Sequence, residues 1–326
     1  MNVRITGTGS SLPGKILTNA DLEQMVDTSD EWITTRTGIK ERRIAVEGEY
    51  TSTFAAEAGH HALAMAGVQA DELDFIILST VTPDFPFPST ACIVQDLLGA
   101  TNATAFDLSA ACSGFIFGLS VAEKYLRSGA ARKILVIGSE TLTRIVDWQD
   151  RNTCVLFGDG AGAVVLEASD GGHSLLSTHT FSNGKFWNLL YQPGSGSRNP
   201  ATDPRTFDER LIYIAMEGNE VYKHAVRSME EAAVAALDAN KLTQADIALL
   251  IPHQANRRII DTTAKRLGID PDRLFTNLQQ YGNTSSASIP IALDEANRQG
   301  VLKSGDKALL VAFGGGFAYG SALVEW

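Results

Sequence analysis

The sequence predicts a mixed α/β protein made of two related halves, and three observations carry that expectation. Short apolar strand-like runs alternate with helical stretches along the chain. The pattern also repeats: Leu73-Asp-Phe-Ile-Ile77 returns as Ile247-Ala-Leu-Leu-Ile251, and Lys133-Ile-Leu-Val-Ile137 as Lys307-Ala-Leu-Leu-Val311, each offset by 307 − 133 = 174 residues. Farther on, Gly158-Asp-Gly-Ala-Gly-Ala-Val-Val165 echoes Gly316-Phe-Ala-Tyr-Gly-Ser-Ala-Leu323 at 316 − 158 = 158, so the register slips only after a shared core. The halves are expected at 1–174 and 175–326, the second opening after Gly171-Gly172.

Taken in order, Met1-Asn-Val-Arg-Ile-Thr-Gly7 reads as a strand and turn rather than a signal peptide. Ala62-Leu-Ala-Met-Ala-Gly-Val68 closes a helix before the strand at Leu73. Phe106-Asp-Leu-Ser-Ala-Ala-Cys-Ser-Gly-Phe115 runs from a strand into small residues. A helix follows over 116–127, with Phe115, Leu119, Ala122 and Leu126 on one face and Ser128-Gly129 ending it. Cys112 therefore falls at a helix N-terminus, where the dipole favours thiolate and a cysteine pKa drops below about 8.5. The stretch Pro193-Gly-Ser-Gly-Ser-Arg-Asn-Pro200 is a loop. Leu249-Leu250-Ile251 stops at Pro252, leaving His253 beyond the strand. Asn283 follows Gly282 in a run of small residues, ahead of a helix from Ile289 through Leu293 and Ala296 to Gly300. Read singly, these residues have plain alternatives: a buried structural thiol, a satisfied histidine and ordinary turn chemistry. Together they form a Cys/His/Asn set.

Composition fits a soluble enzyme, with 326 residues, 44% hydrophobic and 20% charged. A net charge of −11 disfavours nucleic acid as a partner. No apolar run approaches the ~20 residues that span a bilayer. Three separated cysteines, 92, 112 and 154, suit a reducing compartment, and cytoplasm is expected. No His or Cys spacing matches a metal site, and Gly7-Thr-Gly9 with Ser10-Ser11 is not a phosphate-binding fingerprint. Basic residues gather at Arg257, Arg258, Lys265 and Arg266 on a helix-like segment, and at Lys223 and Arg227; a solvated helix face is the ordinary reading of such a cluster.

A family resemblance runs through essentially the whole chain. Its carriers are Gly7-Thr-Gly9, Asp30-Glu-Trp-Ile33 with Arg36-Thr-Gly-Ile39, Ala111-Cys-Ser-Gly114, Phe157-Gly-Asp-Gly-Ala-Gly162, Pro252-His-Gln-Ala-Asn256, Gly282-Asn-Thr-Ser285 and Phe313-Gly-Gly-Gly316. In this order they resemble the thiolase-like condensing enzymes, most closely the β-ketoacyl-acyl-carrier-protein synthase III family of type II fatty acid synthesis. That resemblance implies the duplicated thiolase fold, a five-layer αβαβα sandwich. It puts the family's catalytic groups on Cys112, His253 and Asn283 and an oxyanion hole at the N–H groups of Cys112 and Gly315. It implies acyl-CoA and malonyl-acyl carrier protein as substrates, a homodimer, and no metal or redox cofactor.

The resemblance extends to binding positions. Trp32 matches a residue that stacks on the adenine of CoA, with Arg151 against its other face; Thr28, Arg36, Gly218 and Asn256 match positions along the nucleotide and pantetheine arm. Phe87 matches a dimer-interface position that limits the acyl pocket. Lys223, Arg258, Lys265 and Arg266 match the basic positions that dock the carrier protein. Rival members of the fold fit less well. A thiolase carries a second cysteine near the C-terminus, which Gly314-Gly-Gly-Phe-Ala-Tyr-Gly320 lacks, and an elongating synthase uses two histidines. A relative making starters for polyketides or other secondary metabolites keeps Cys, His and Asn and stays open. A non-enzymatic acyl-binding partner subunit would usually lack the cysteine.

Overall fold

The computed structural model describes residues 2–169 and 174–326, so the boundary expected after Gly171-Gly172 lies outside the described residues. Two sheets organise the chain. Across the first lie Asn2–Ser11, Asp159–Ser169, Lys133–Thr141, Phe75–Ser79 and Thr104–Leu108, in that order. Across the second lie Leu249–Pro252, Lys307–Phe313, Ala318–Glu325 and Ser174–Ser182. Phe75–Ser79 runs parallel to both its neighbours, as Leu249–Pro252 does to Lys307–Phe313.

The central strands read as unbroken apolar runs because both faces of each are covered. Successive side chains point to opposite sides: Ile77, Ile134 and Val136 meet the middle of the molecule, while Ile76, Leu78, Leu135 and Ile137 pack outward. Likewise Leu249 and Ile251 face the middle, and Leu250, Leu309 and Val311 the other side. Between the sheets lie the helices Gly114–Arg127 and Ser288–Arg298. Thr51–Ala66 and Thr90–Leu98 cover the first sheet from outside, and Gly218–Asn240 and Arg257–Leu267 the second. The five expected layers are present.

The repeat survives in three dimensions. A 3₁₀ turn, Ala111–Ser113, feeds the helix beginning at Gly114; 285 − 111 = 174 residues later the turn Ser285–Ala287 feeds the helix beginning at Ser288. One strand of the first sheet has no counterpart in the second among the described residues. Where the first sheet ends in Thr104–Leu108, the second keeps only a bridge between Leu250 and Leu274. Both central helices begin beside the C-terminal ends of parallel strands, the place where α/β sheets hold ligands.

Candidate active site

Cys112 sits in the turn before the first central helix and is buried. Ala111 holds φ = 47°, a left-handed conformation that L-residues occupy at a cost of order 1–3 kcal/mol. Gly114 is required by space: a Cβ there would lie 1.6 Å from Ser79 Oγ. The Gly314–Gly316 loop presses on the same turn, since a Cβ on Gly314 would lie 2.6 Å from Cys112 N. Ser113 Oγ fastens the two by donating to Ala318 O at 2.7 Å. Burial pushes the Cys112 thiol up to about 11, opposed by the Ser285 hydroxyl and the N–H groups of Cys112 and Gly315, and reinforced by the nearby Glu140 carboxylate. The expectation of a lowered pKa is corrected on this point. Desolvation outweighs the helix end, and the thiol is protonated at neutral pH.

His253 follows the strand Leu249–Pro252, and its N–H extends the pairing to Val311 O at 2.8 Å. The ring is 2% exposed, and burial pushes it down to about 3, so it is neutral. Nδ1 lies 2.7 Å from Ser288 Oγ. Asn283 is clamped through its backbone: N donates to Leu156 O at 2.8 Å, and O accepts from Gly158 N at 3.0 Å. Gly282, at φ 66° and ψ −157°, makes the turn into Asn283 in a region essentially reserved for glycine. The amide orientation follows from chemistry. Ser285 N–H meets one end of it at 2.8 Å, and an N–H can only donate, so that end is Oδ1 and the NH₂ is free to donate.

Cys112, His253, Asn283, Ser285 and Gly315 line one cavity of about 590 Å³, whose wall also includes Trp32 and Asn256. A thiol, an imidazole, a carboxamide and the glycine loop at Gly315 thus meet around one space.

Comparison with known proteins gives the family of the chain. The family described as "3-Oxoacyl-[acyl-carrier-protein (ACP)] synthase III" matches residues 106–184, and its C-terminal counterpart matches 237–326. A beta-ketoacyl-[acyl-carrier-protein] synthase III from Caldanaerobacter subterraneus subsp. tengcongensis is 55% identical over 322 residues, covering 99% of this chain and 97% of that protein. One from Roseiflexus castenholzii is also 55% identical, with the same coverage. Among solved structures, the 3-oxoacyl-[acyl-carrier-protein] synthase III of Aquifex aeolicus VF5 has a TM-score of 0.93 at 49% identity, covering 99% of this chain and 100% of that one. The chain belongs to the β-ketoacyl-acyl-carrier-protein synthase III family. It is an acyltransferase with the thiolase fold, the initiating condensing enzyme of fatty acid synthesis.

The other family positions are distributed as follows. Arg36, Gly218 and Arg258 line the cavity with Trp32 and Asn256. Thr28 Oγ1 is buried without a partner. The Arg36 and Arg151 guanidiniums lie 4.8 and 5.1 Å from the Trp32 ring centroid. A ring lying between Trp32 and Arg151 needs two contact distances, about 7 Å, so Arg151 stands inside the space expected for the adenine. It is held there by Asp27, whose O accepts from Nη1 at 2.9 Å. Phe87 is not in the cavity of this chain; it is 85% exposed. Lys223, Lys265 and Arg266 are exposed on the outer helices, Lys223 paired with Glu220 and Arg266 with Glu230, each at 2.6 Å.

Three residues near the chemistry were not singled out from the sequence: Ser285, Ser288 and Glu140. Glu140 is fully buried; its Oε2 accepts from Thr80 Oγ1, Val81 N and Thr82 Oγ1 at 2.9–3.1 Å, and Oε1 from Ser286 Oγ at 2.9 Å. Burial pushes its carboxyl upward. Among the described residues no group of three or more His, Cys, Asp or Glu could hold a metal ion, and no helix is long and apolar enough to cross a membrane.

Proposed function

We propose that Cys112 takes an acyl group from acyl-CoA and passes it to malonyl-acyl carrier protein, giving a β-ketoacyl-acyl carrier protein, CO₂ and CoA. Sulfur attacks the thioester carbonyl, the oxyanion is held by the N–H groups of Cys112 and Gly315, and the CoA thiolate leaves with the proton the thiol gives up. The malonyl group then enters and loses CO₂. Charge moves to its thioester oxygen, which receives hydrogen bonds from His253 Nε2–H and the Asn283 NH₂. The carbanion attacks the acyl-cysteine carbonyl, the same hole holds the second oxyanion, and the expelled thiolate takes up a proton from solvent.

The observation that carries this division is a neutral, buried His253 lining the same cavity as a protonated thiol. An imidazole that resists protonation down to about pH 3 is a donor to an oxyanion and not a counter-cation for a thiolate. Thr28, Trp32, Arg36, Arg151, Gly218 and Asn256 would hold CoA, with Arg151 swinging off Trp32 to admit the adenine. Lys223, Arg258, Lys265 and Arg266 would dock the acidic carrier.

A homodimer is supported by the open edge of Thr104–Leu108 and by the exposed Phe85 and Phe87 beyond the strand beside it; a second copy would cover both and bring Phe87 to the partner's acyl pocket. Free thiols at Cys92, Cys112 and Cys154 support the cytoplasm. The halves 1–174 and 175–326 would then supply the nucleophile and the two enolate donors respectively.

The test is mass spectrometry of the intact protein after incubation with a panel of acyl-CoAs and then malonyl-acyl carrier protein, with Cys112→Ser as control. Acylation at Cys112 discharged only by the malonyl carrier is expected. Absence of an acyl-enzyme from any CoA would overturn the reading. The panel also reads acyl preference, a matter of about 1–3 kcal/mol per methylene in the cavity wall.

A further inference from the structure

We propose that Ser288 is a positioning residue that fixes the tautomer of His253, holding the proton on Nε2. The argument is an account of hydrogens. Ser288 Oγ has two hydrogen-bond neighbours, His253 Nδ1 at 2.7 Å and Gln254 N at 3.3 Å. A backbone N–H can only donate, so Gln254 occupies a lone pair of the oxygen. The hydroxyl has one proton, and Nδ1 is the remaining neighbour able to accept it. A neutral imidazole carries one hydrogen; with Nδ1 accepting, that hydrogen is on Nε2, which makes no hydrogen bond to a described residue and belongs to a ring lining the cavity. The opposite tautomer would turn a lone pair toward the enolate oxygen and remove one of its two donors.

Two further observations separate this serine from an ordinary helix-start residue. Ser288 is the first residue inside the helix Ser288–Arg298, whose N-cap is Ala287, and its Oγ meets His253 Nδ1 and Gln254 N rather than an N–H of that helix. The duplicated half shows the same space used in another way. Residue 288 corresponds to Gly114 and residue 253 to Ser79, both at 253 − 79 = 174. There the strand-end side chain fills the space and the helix start must be bare, for a Cβ on Gly114 would meet Ser79 Oγ at 1.6 Å. Only the half with histidine at the strand end has a helix start that reaches back to it. His253, Ser288 and Gln254 are all buried, so no bulk water competes for Nδ1.

The inference rests on the reading that His253 donates through Nε2, and the decisive measurement is independent of it. In protein labelled with ¹⁵N-histidine, His253 is assigned by difference against His253→Gln, and its nitrogens are read with no substrate present. The expected spectrum has Nδ1 unprotonated and Nε2 protonated, unchanged between pH 5 and 8. A proton on Nδ1 in the unmodified enzyme overturns the proposal by itself. In Ser288→Ala the Nε2–H form should lose population, malonyl decarboxylation should fall on the order of tenfold or more, bounded by the 10²–10³ of a whole lost donor, and acylation of Cys112 should hold. Ser288→Thr, which keeps the hydroxyl, should restore both the spectrum and the decarboxylation rate. Equal loss of acylation and decarboxylation, or an unchanged tautomer in Ser288→Ala, would reduce Ser288 to packing. Should the tautomer be as expected while His253→Ala leaves decarboxylation intact, the mechanistic reading fails and the tautomer assignment stands.

Discussion

The two halves of the molecule build one backbone device twice and put it to opposite uses. In the first, the turn Ala111–Ser113 offers Cys112 to the cavity; in the second, Ser285–Ala287 turns Ser286 inward, where Oγ reaches Ser79 O and Glu140 Oε1, both at 2.9 Å. Ala111 and Ser285 hold the same left-handed φ, 47° and 48°. A strained residue before a helix start is thus a property of the fold, while reactivity depends on what faces the next side chain. Cys112 faces donors in a cavity. Ser286 faces a buried carboxylate that fills the corresponding space.

The sharpest break in that comparison is to exchange the two positions' roles by deletion. Cys112→Ala should abolish the acyl-enzyme in intact-mass spectra. Ser286→Ala, its counterpart, should keep the acyl-enzyme and lower stability by about 1–3 kcal/mol, because Glu140 loses a donor to Oε1. Loss of acylation in both would show that the second turn is not merely structural.

Next in size is the contrast between His253 and the serine in its place in the first half. His253→Ala should cut malonyl decarboxylation by about 10²–10³ with acyl transfer to Cys112 largely intact, measured by ¹⁴CO₂ release and by mass. Ser79→Ala should leave the ratio of the two half-reactions unchanged. Smaller again is Gly114→Ala, where backbone helicity gains but the new methyl collides with Ser79; a net loss of about 1–3 kcal/mol is expected in denaturant melts, and Ser79→Gly in the same chain should recover most of it. The mildest effect concerns pH. Since burial holds the Cys112 thiol near 11, its alkylation by iodoacetamide should climb steadily through pH 9 and 10 with no plateau near 7. Glu140→Gln should move that profile to lower pH, because the carboxylate raises the thiol.

Much of this was legible from the chain. The strand that stops just short of His253 and the helix starts after Cys112 and Asn283 are set by local apolar periodicity and by glycine and proline, so nearby residues decide them. The contacts that tune the site were not legible, because they join distant segments. Ser288 meets His253 across 35 residues and Ser286 meets Glu140 across 146, and which serine of Thr284-Ser-Ser-Ala-Ser288 faces which partner depends on the left-handed turn at Ser285. The thiol shows the same limit. Its helix position is local and readable, but its burial belongs to the assembled fold, and burial decides the protonation state. Phe87 is matched to a pocket-limiting position by resemblance, yet in this chain it lies in solvent, outside the cavity.

The shared middle layer has a consequence for how the chain comes apart. Its apolar cluster takes Ile77, Ile134 and Val136 from the first sheet, Leu249, Ile251 and Leu310 from the second, and Phe115, Leu119, Ile289 and Leu293 from the two helices between. Neither half owns that core, so a half standing alone would present one bare greasy face to water. Heat or denaturant should therefore melt both halves in a single cooperative transition, with no population in which one is native and the other unravelled.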